Sequence, residues 1–182
     1  SPKRLFTNNW KDELWLVAGG IFGGSLYFFT ENTALGITQA SNVSFIICTA
    51  PLLTTILSLL FYKSEKASKG LIYGSLLALM GVGLIVFNGS FVLKISPIGD
   101  LLTLLAALSW AFYSLIIKKM AGRYPTVFIT RKIFFYGVLT ILPAFLLHPL
   151  HPDTVVLLQP AVLFNLLFLA VLASLICYVL WN

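Results

Sequence analysis

Residues 101–117 read LLTLLAALSWAFYSLII, and Lys118-Lys119 follow at once. The run carries no charge, is about as long as a helix needs to cross roughly 30 Å of hydrocarbon, and stops at a basic pair. Working outward, comparable apolar runs occupy Leu14–Leu35, Ser41–Tyr62 and Leu71–Phe87 before it, and Ile133–Leu147 and Val162–Trp181 after it. Together they predict a polytopic membrane protein with six transmembrane helices.

The basic residues agree with that count. With the N-terminus in the cytoplasm, alternation puts Lys3, Arg4, Lys11, Lys63, Lys66, Lys69, Lys118, Lys119, Arg123, Arg131 and Lys132 inside, and only Lys94 outside. Lys and Arg collect in cytoplasmic loops and so set orientation. The expectation is N-in and C-in over this chain, in a bacterial inner (plasma) membrane.

Composition excludes a soluble domain. Hydrophobic residues make up 59%, charged residues 10%, and the mean hydropathy is +0.95, whereas about a quarter of a soluble domain is charged. Lipid leaves unpaired backbone groups unsolvated, so spanning segments are helices or barrel strands. These runs are too long and too weakly alternating for barrel strands, which makes the fold class all-α. The net charge of +6 sits in loops flanking the spans, where it faces anionic lipid headgroups rather than nucleic acid. Cys48 and Cys177 lie within spans, in no metal-ligand spacing, and read as small packing residues. No cofactor or metal is expected. The chain opens Ser1-Pro2-Lys3-Arg4 without a Met or a cleavable signal peptide, which suggests a fragment or a processed start.

The connection Asn88–Asp100, with Gly89, Ser90 and Pro97, is the best boundary between two halves, 1–92 and 93–182, of three helices each. An internal echo relates them. The first span ends Gly24-Ser25-Leu26-Tyr27-Phe28-Phe29-Thr30-Glu31-Asn32, and the sixth ends Ser174-Leu175-Ile176-Cys177-Tyr178-Val179-Leu180-Trp181-Asn182. Both read small residue, apolar and aromatic residues, then Asn, in opposite orientations and five spans apart. A repeat of five helices has an odd number of crossings, so its copy is inverted.

Glu31 is the acidic residue set well into a predicted span. Burying a carboxylate near lipid costs several kcal/mol unless it is protonated, paired or faces a cavity. It is either a substrate contact or proton-coupling group, or a residue at an early helix end reaching the outer interface. Asn32 beside it suits a helix–helix hydrogen bond or a ligand. In the second span Ser41, Ser44, Cys48, Pro51, Thr55 and Ser58 recur at helical spacing and form a polar stripe. Such a stripe faces protein or water, and Pro51 removes a backbone hydrogen bond mid-span, predicting a kink or hinge.

Gly19, Gly20, Gly23 and Gly24 form overlapping small-xxx-small pairs, as do Gly70 and Gly74, and permit close helix approach. Trp110 and Tyr113 share a face with Thr103 and Ala106, either lining a path for an apolar or aromatic substrate or packing between helices. Trp10, Trp15 and Trp181 sit near span ends as interfacial anchors. The pair His148 and Asp153 has the spacing of an acyltransferase His/Asp pair, but two prolines interrupt it and its predicted side is external. No Walker-type phosphate loop is present, so nothing supports ATP-driven transport.

A family resemblance then emerges. Asn32-Thr33-Ala34-Leu35, Thr38-Gln39-Ala40-Ser41, Ser44, Pro51-Leu52 and Glu65 resemble the latter part of an EamA-type half-domain of the drug/metabolite transporter superfamily. Gly74, Gly81 and Gly83 resemble its Gly-rich fifth helix. Pro97-x-Gly99-Asp100-Leu101-Leu102, Ser109-Trp110-Ala111-x-Tyr113 and Lys118-Lys119 are similar to the opening of the second half, and Ala173 to Asn182 to its middle. The resemblance implies ten helices in two inverted five-helix repeats, of which this chain holds helices three to eight. It implies alternating access, commonly export, and makes Pro51 the mid-helix proline and Glu65 a loop or capping residue.

The expected function is therefore a secondary carrier exporting a small organic metabolite or drug, with membrane lipid and the substrate as partners and protons as a candidate coupling ion. Glu31, Asn32, Ser41, Ser44, Pro51, Trp110, Tyr113 and Tyr178 are the candidate pathway residues. The alternatives are a non-transporting membrane scaffold or assembly subunit, and an acyltransferase-like enzyme using His148 and Asp153.

Overall fold

A computed structural model describes residues 6–62, 69–87, 96–147 and 154–181. Among them there is helix and no strand. Helix α1 (Trp10–Gly20) runs through a π-helical turn (Ile21–Ser25) into α2 (Leu26–Leu35). Then come α3 (Ala40–Ile47), α4 (Ala50–Phe61), α5 (Lys69–Phe87), α6 (Pro97–Ala121) and α7 (Thr126–Leu147). A short α8 (Thr154–Leu157) precedes α9 (Pro160–Leu167), which passes through a second π-helical stretch (Phe168–Ile176) into α10 (Cys177–Trp181).

Four helical runs among the described residues are long and apolar enough to cross a membrane: Ala40–Phe61, Pro97–Ala121, Thr126–Ala144 and Pro160–Leu180. The other two expected spans are helical as well, as α1 to α2 and as α5. Of the loop residues read above, Lys63, Glu65, Lys66, Lys94, His148 and Asp153 lie outside the described residues, as do Lys3, Arg4 and Asn182.

Local chemistry explains the helix ends. Asn9 caps α1, its side chain accepting from the Lys11 amide at 3.1 Å, and Asp12 and Glu13 occupy the first turn, where the helix dipole favours acid. Pro97 starts α6, the Ser96 amide donates to Asp100 Oδ2 at 3.1 Å, and Lys118 and Lys119 close the helix at its negative end. Within the helices, Thr30, Thr54, Thr55, Thr103 and Ser114 donate their hydroxyls to the carbonyl four residues back, at 2.7–2.9 Å. Hydroxyls satisfied in this way can sit in an apolar span without cost to a partner.

The expected kink is a break. The second span stops at Ile47 and resumes at Ala50, with Pro51 in the first turn of α4. Proline has no amide hydrogen to give to the preceding turn, and at a helix start none is needed. Thr49 bridges the gap, its hydroxyl donating to the Ile46 carbonyl at 2.6 Å.

The core forms where α1, α6, α7 and α10 meet. Leu16, Tyr113, Ile116, Ile117, Met120, Ile129, Ile133 and Tyr178 are all buried there. The glycines read as packing residues in the first span do pack. A Cβ on Gly20 would stand 2.6 Å from Tyr136 Cβ, and one on Gly23 2.3 Å from the Tyr113 ring. Beyond them, the Ser25 and Thr140 hydroxyls hydrogen-bond at 2.9 Å. Gly74 differs: among the described residues, nothing lies within 4 Å of where its Cβ would be.

Candidate functional site

The π turn organises the site. Its wider register, marked by the Leu26 amide bonding to the Ile21 carbonyl, loosens the usual i→i−4 ladder, and side chains from other helices take up carbonyls in it. Ser109 of α6 donates to the Phe22 carbonyl at 2.7 Å, and the Tyr178 hydroxyl of α10 donates to the Gly23 carbonyl. Gly23 tolerates this approach because it has no Cβ to meet the Tyr113 ring.

Around this turn the rings gather. Trp110 stands 4.9 Å from Tyr27, 5.0 Å from Tyr113 and 5.4 Å from Tyr178, centroid to centroid. Tyr113 and Tyr178 are 5.9 Å apart, and Phe134 of α7 lies 5.0 Å from Tyr178. These are tilted and edge-on contacts of the kind aromatic rings prefer. Glu31 joins the cluster through Tyr27, whose hydroxyl donates to Glu31 Oε1 at 3.0 Å. Tyr113 and Tyr178 are buried, whereas Tyr27, Glu31 and Trp110 are partly exposed. The cluster therefore has a closed back and an open front. A small apolar cavity of about 200 Å³ adjoins it, with Phe28, Phe134 and Tyr178 in its wall.

Of the eight candidate pathway residues, the structure brings together Glu31, Trp110, Tyr113 and Tyr178. The others lie apart from this cluster's contacts. Asn32 is exposed and donates to the Phe28 carbonyl of its own helix at 2.7 Å. Ser44 and Pro51 are exposed, and Ser41 is half-buried, on α3 and α4. The polar stripe passes from these exposed positions to buried Ser58, which accepts from Lys118 Nζ at 3.4 Å.

Two groups were not singled out from the sequence. One is Tyr27, whose signal was its i→i+4 spacing to Glu31, one helical turn apart. The other is a charged cluster at the opposite end of α1. Arg123 pairs with Asp12 at 2.8 Å, and the Tyr124 hydroxyl donates to the same carboxylate at 3.0 Å. Lys132 and the Tyr136 hydroxyl both bond Glu13 Oε1, while Thr7 donates its hydroxyl to Oε2 at 2.7 Å. Glu13 and Lys132 are both buried. The hydrogen bonds from Lys132, Tyr136 and Thr7 satisfy the buried Glu13 carboxylate. Lys119 lies 3.8 Å over the Trp15 ring at the same end. The basic residues of α6, α7 and the turn between them thus collect at one end of the bundle.

The model of the EamA-like transporter family matches residues 2–87 and again residues 97–182. An uncharacterized transporter of Archaeoglobus fulgidus is 29% identical over 162 residues, covering 87% of this chain and 54% of that protein. The uncharacterized transporter YdfC of Bacillus subtilis is 35% identical over 107 residues, covering 58% of this chain and 34% of that protein. The chain spans about half or less of the length of these relatives. One solved crystal structure superposes with a TM-score of 0.72 at 20% identity, over 96% of this chain and 58% of that one, a likeness of fold alone.

Proposed function

The chain belongs to the EamA-like transporter family, is an integral membrane protein, and we propose that it forms the middle of a secondary transporter exporting a small organic metabolite or drug. In this reading ten helices form two inverted five-helix repeats. Residues 1–92 end the first and residues 93–182 begin the second. The chain crosses six times, with α1 to α2 and α5 as the first and third spans and its N-terminus in the cytoplasm of a bacterial cell.

The observation that carries this reading is the open-fronted cluster of Glu31, Tyr27, Trp110, Tyr113 and Tyr178, built from three separate helices at the π turn. Ligand sites in membrane carriers form where helices are interrupted, because loosened backbone can then face a cavity. The α3–α4 span is interrupted here, and the α1–α2 span carries a π turn. The echo between the first and sixth spans supports the repeat, and a tyrosine from each, Tyr27 and Tyr178, touches Trp110. Ser41, Ser44 and Pro51 on the interrupted second span face the pathway as alternating access opens it, Asn32 stands at its outer mouth, and protons couple through Glu31.

The test is accessibility from both sides. In the full-length protein with Cys48 and Cys177 replaced, Ser44→Cys is exposed to a membrane-impermeant thiol reagent applied to either face of oriented vesicles. Labelling from both faces is the expected result. Labelling from a single face under all substrate and pH conditions would remove alternating access.

A further inference from the structure

We propose that a groove between α1, α4 and α6 binds an anionic phospholipid, with the headgroup phosphate on Lys119 and an acyl chain along the wall beneath it. α1 and α4 each pack against α6, and the groove lies over α6 between them, with a volume of about 380 Å³. None of its lining residues belongs to the ring cluster around Trp110. The site requires that the chain spans a membrane, and it holds whether or not the protein is a carrier.

The first observation is the wall. Of the side chains that line the groove, Lys119 alone is charged. Phe112 of α6 stands 5.4 Å from Phe22 and 6.3 Å from Phe61, centroid to centroid, so rings from three segments make one apolar surface. Trp15 on α1 and Phe61 on α4 stay exposed at its edges. The second observation is the order of the parts along the groove. Lys119 lies near the end of α6 and Tyr62 directly after α4, while Trp15 sits in the early part of α1. Trp, Tyr and Lys at the ends of spans mark headgroup level. Phe112 lies seven positions before Lys119 on the same helix, about 10 Å further along its axis. Charge at the interface with an apolar channel below it matches a lipid, whose anion is followed by a chain.

The third observation is the state of the cation. Among the described residues, Arg123 and Lys132 are matched by Asp12 and Glu13. Lys119 has the face of Trp15 at 3.8 Å and no carboxylate. A ring face positions an ammonium without neutralising it, and the N–H donors remain for a phosphate. A cationic amphiphile would be repelled here. A free phosphate would leave the wall uncovered, and a zwitterionic lipid brings an ammonium of its own that offsets its phosphate. An anionic lipid draws on both the charge and the wall.

Two lipids with the same acyl chains separate charge from fit: phosphatidylglycerol, which is anionic, and phosphatidylcholine, which is zwitterionic. Each is titrated into the purified full-length protein in detergent, and native mass spectrometry counts the lipid retained. Phosphatidylglycerol should be retained at about tenfold lower concentration than phosphatidylcholine. Lys119→Gln should bring the two within about twofold, and Lys119→Arg should keep the preference. Ala18→Trp, which fills the groove and leaves the charge in place, should weaken both lipids. Lys11→Gln removes an exposed charge outside the groove and should change nothing. Melting temperatures confirm that each variant is folded. Equal retention of the two lipids, or a preference that survives in folded Lys119→Gln, would overturn the proposal. Retention of neither would overturn it too, by placing another part of the full-length protein over the groove. So would an equal loss in Lys11→Gln, which would trace the preference to overall charge.

Discussion

Gly24 lies so close to Gly137 that a Cβ on Gly24 would stand 3.0 Å from the Gly137 Cα. One turn earlier, Gly20 meets the backbone of the same helix, its would-be Cβ only 2.9 Å from the Gly137 amide nitrogen. In lipid no hydrophobic force drives two apolar helices together, so contact is won by close backbone approach and by polar links. The α1–α7 pair has both: glycines along the crossing, Glu13–Lys132 at one end and Ser25–Thr140 beyond it.

Gly20→Ala therefore has nowhere to put its methyl group. The backbone of α7 cannot swing aside as a flexible side chain would, so the variant should lose about 1–3 kcal/mol, the usual cost of overpacking. Gly74→Ala, with open space around it, should be neutral or slightly stabilising through helix propensity. Thermal unfolding in detergent of the two variants side by side checks this; equal melting temperatures would contradict it.

The Glu13–Lys132 pair should respond to removal of either partner. Glu13→Gln or Lys132→Met leaves a buried charge alone, and each should cost about 3–5 kcal/mol. The double variant should recover part of that loss, since neither charge is stranded. Additive losses in the double-mutant cycle would show that the two groups do not act together.

Proton coupling, if carried by Glu31, predicts a pH experiment. Glu31→Gln should flatten the pH dependence of transport while membrane insertion persists. Tyr27→Phe, which keeps the ring and removes the hydroxyl bond, should retain a pH dependence but displace its midpoint. An unaltered transport profile in Glu31→Gln would assign coupling to another group.

Tyr178→Phe isolates one hydroxyl. It leaves the ring packing against Trp110, Tyr113 and Phe134 and removes the donor to the Gly23 carbonyl. The expected cost is about 1–3 kcal/mol for an acceptor left without its partner. Faster amide hydrogen exchange confined to residues near 21–26 would accompany it; exchange unchanged there would mean that the π turn holds without Tyr178.

Much of this protein was legible along the chain. Lipid sorts segments by their apolar content, a property of consecutive residues, so the helical class and the long apolar runs at Leu101–Ile117 and Ser41–Tyr62 follow from reading one residue after another. Pro51 announced an interruption for the same reason, as proline alters its own backbone. Glu31, Trp110, Tyr113 and Tyr178 stood out because a polar or aromatic residue inside an apolar run is conspicuous. Their meeting did not. Tyr178 reaches a carbonyl 155 positions away, and Lys132 a carboxylate 119 positions away. Those contacts depend on which helices lie side by side, and that is decided by small residues fitting against one another at a few places such as Gly24 and Gly137. Hydrophobicity places a helix in the membrane without naming its neighbour. Shape and buried charge name the neighbour, and they act only once the chain has folded.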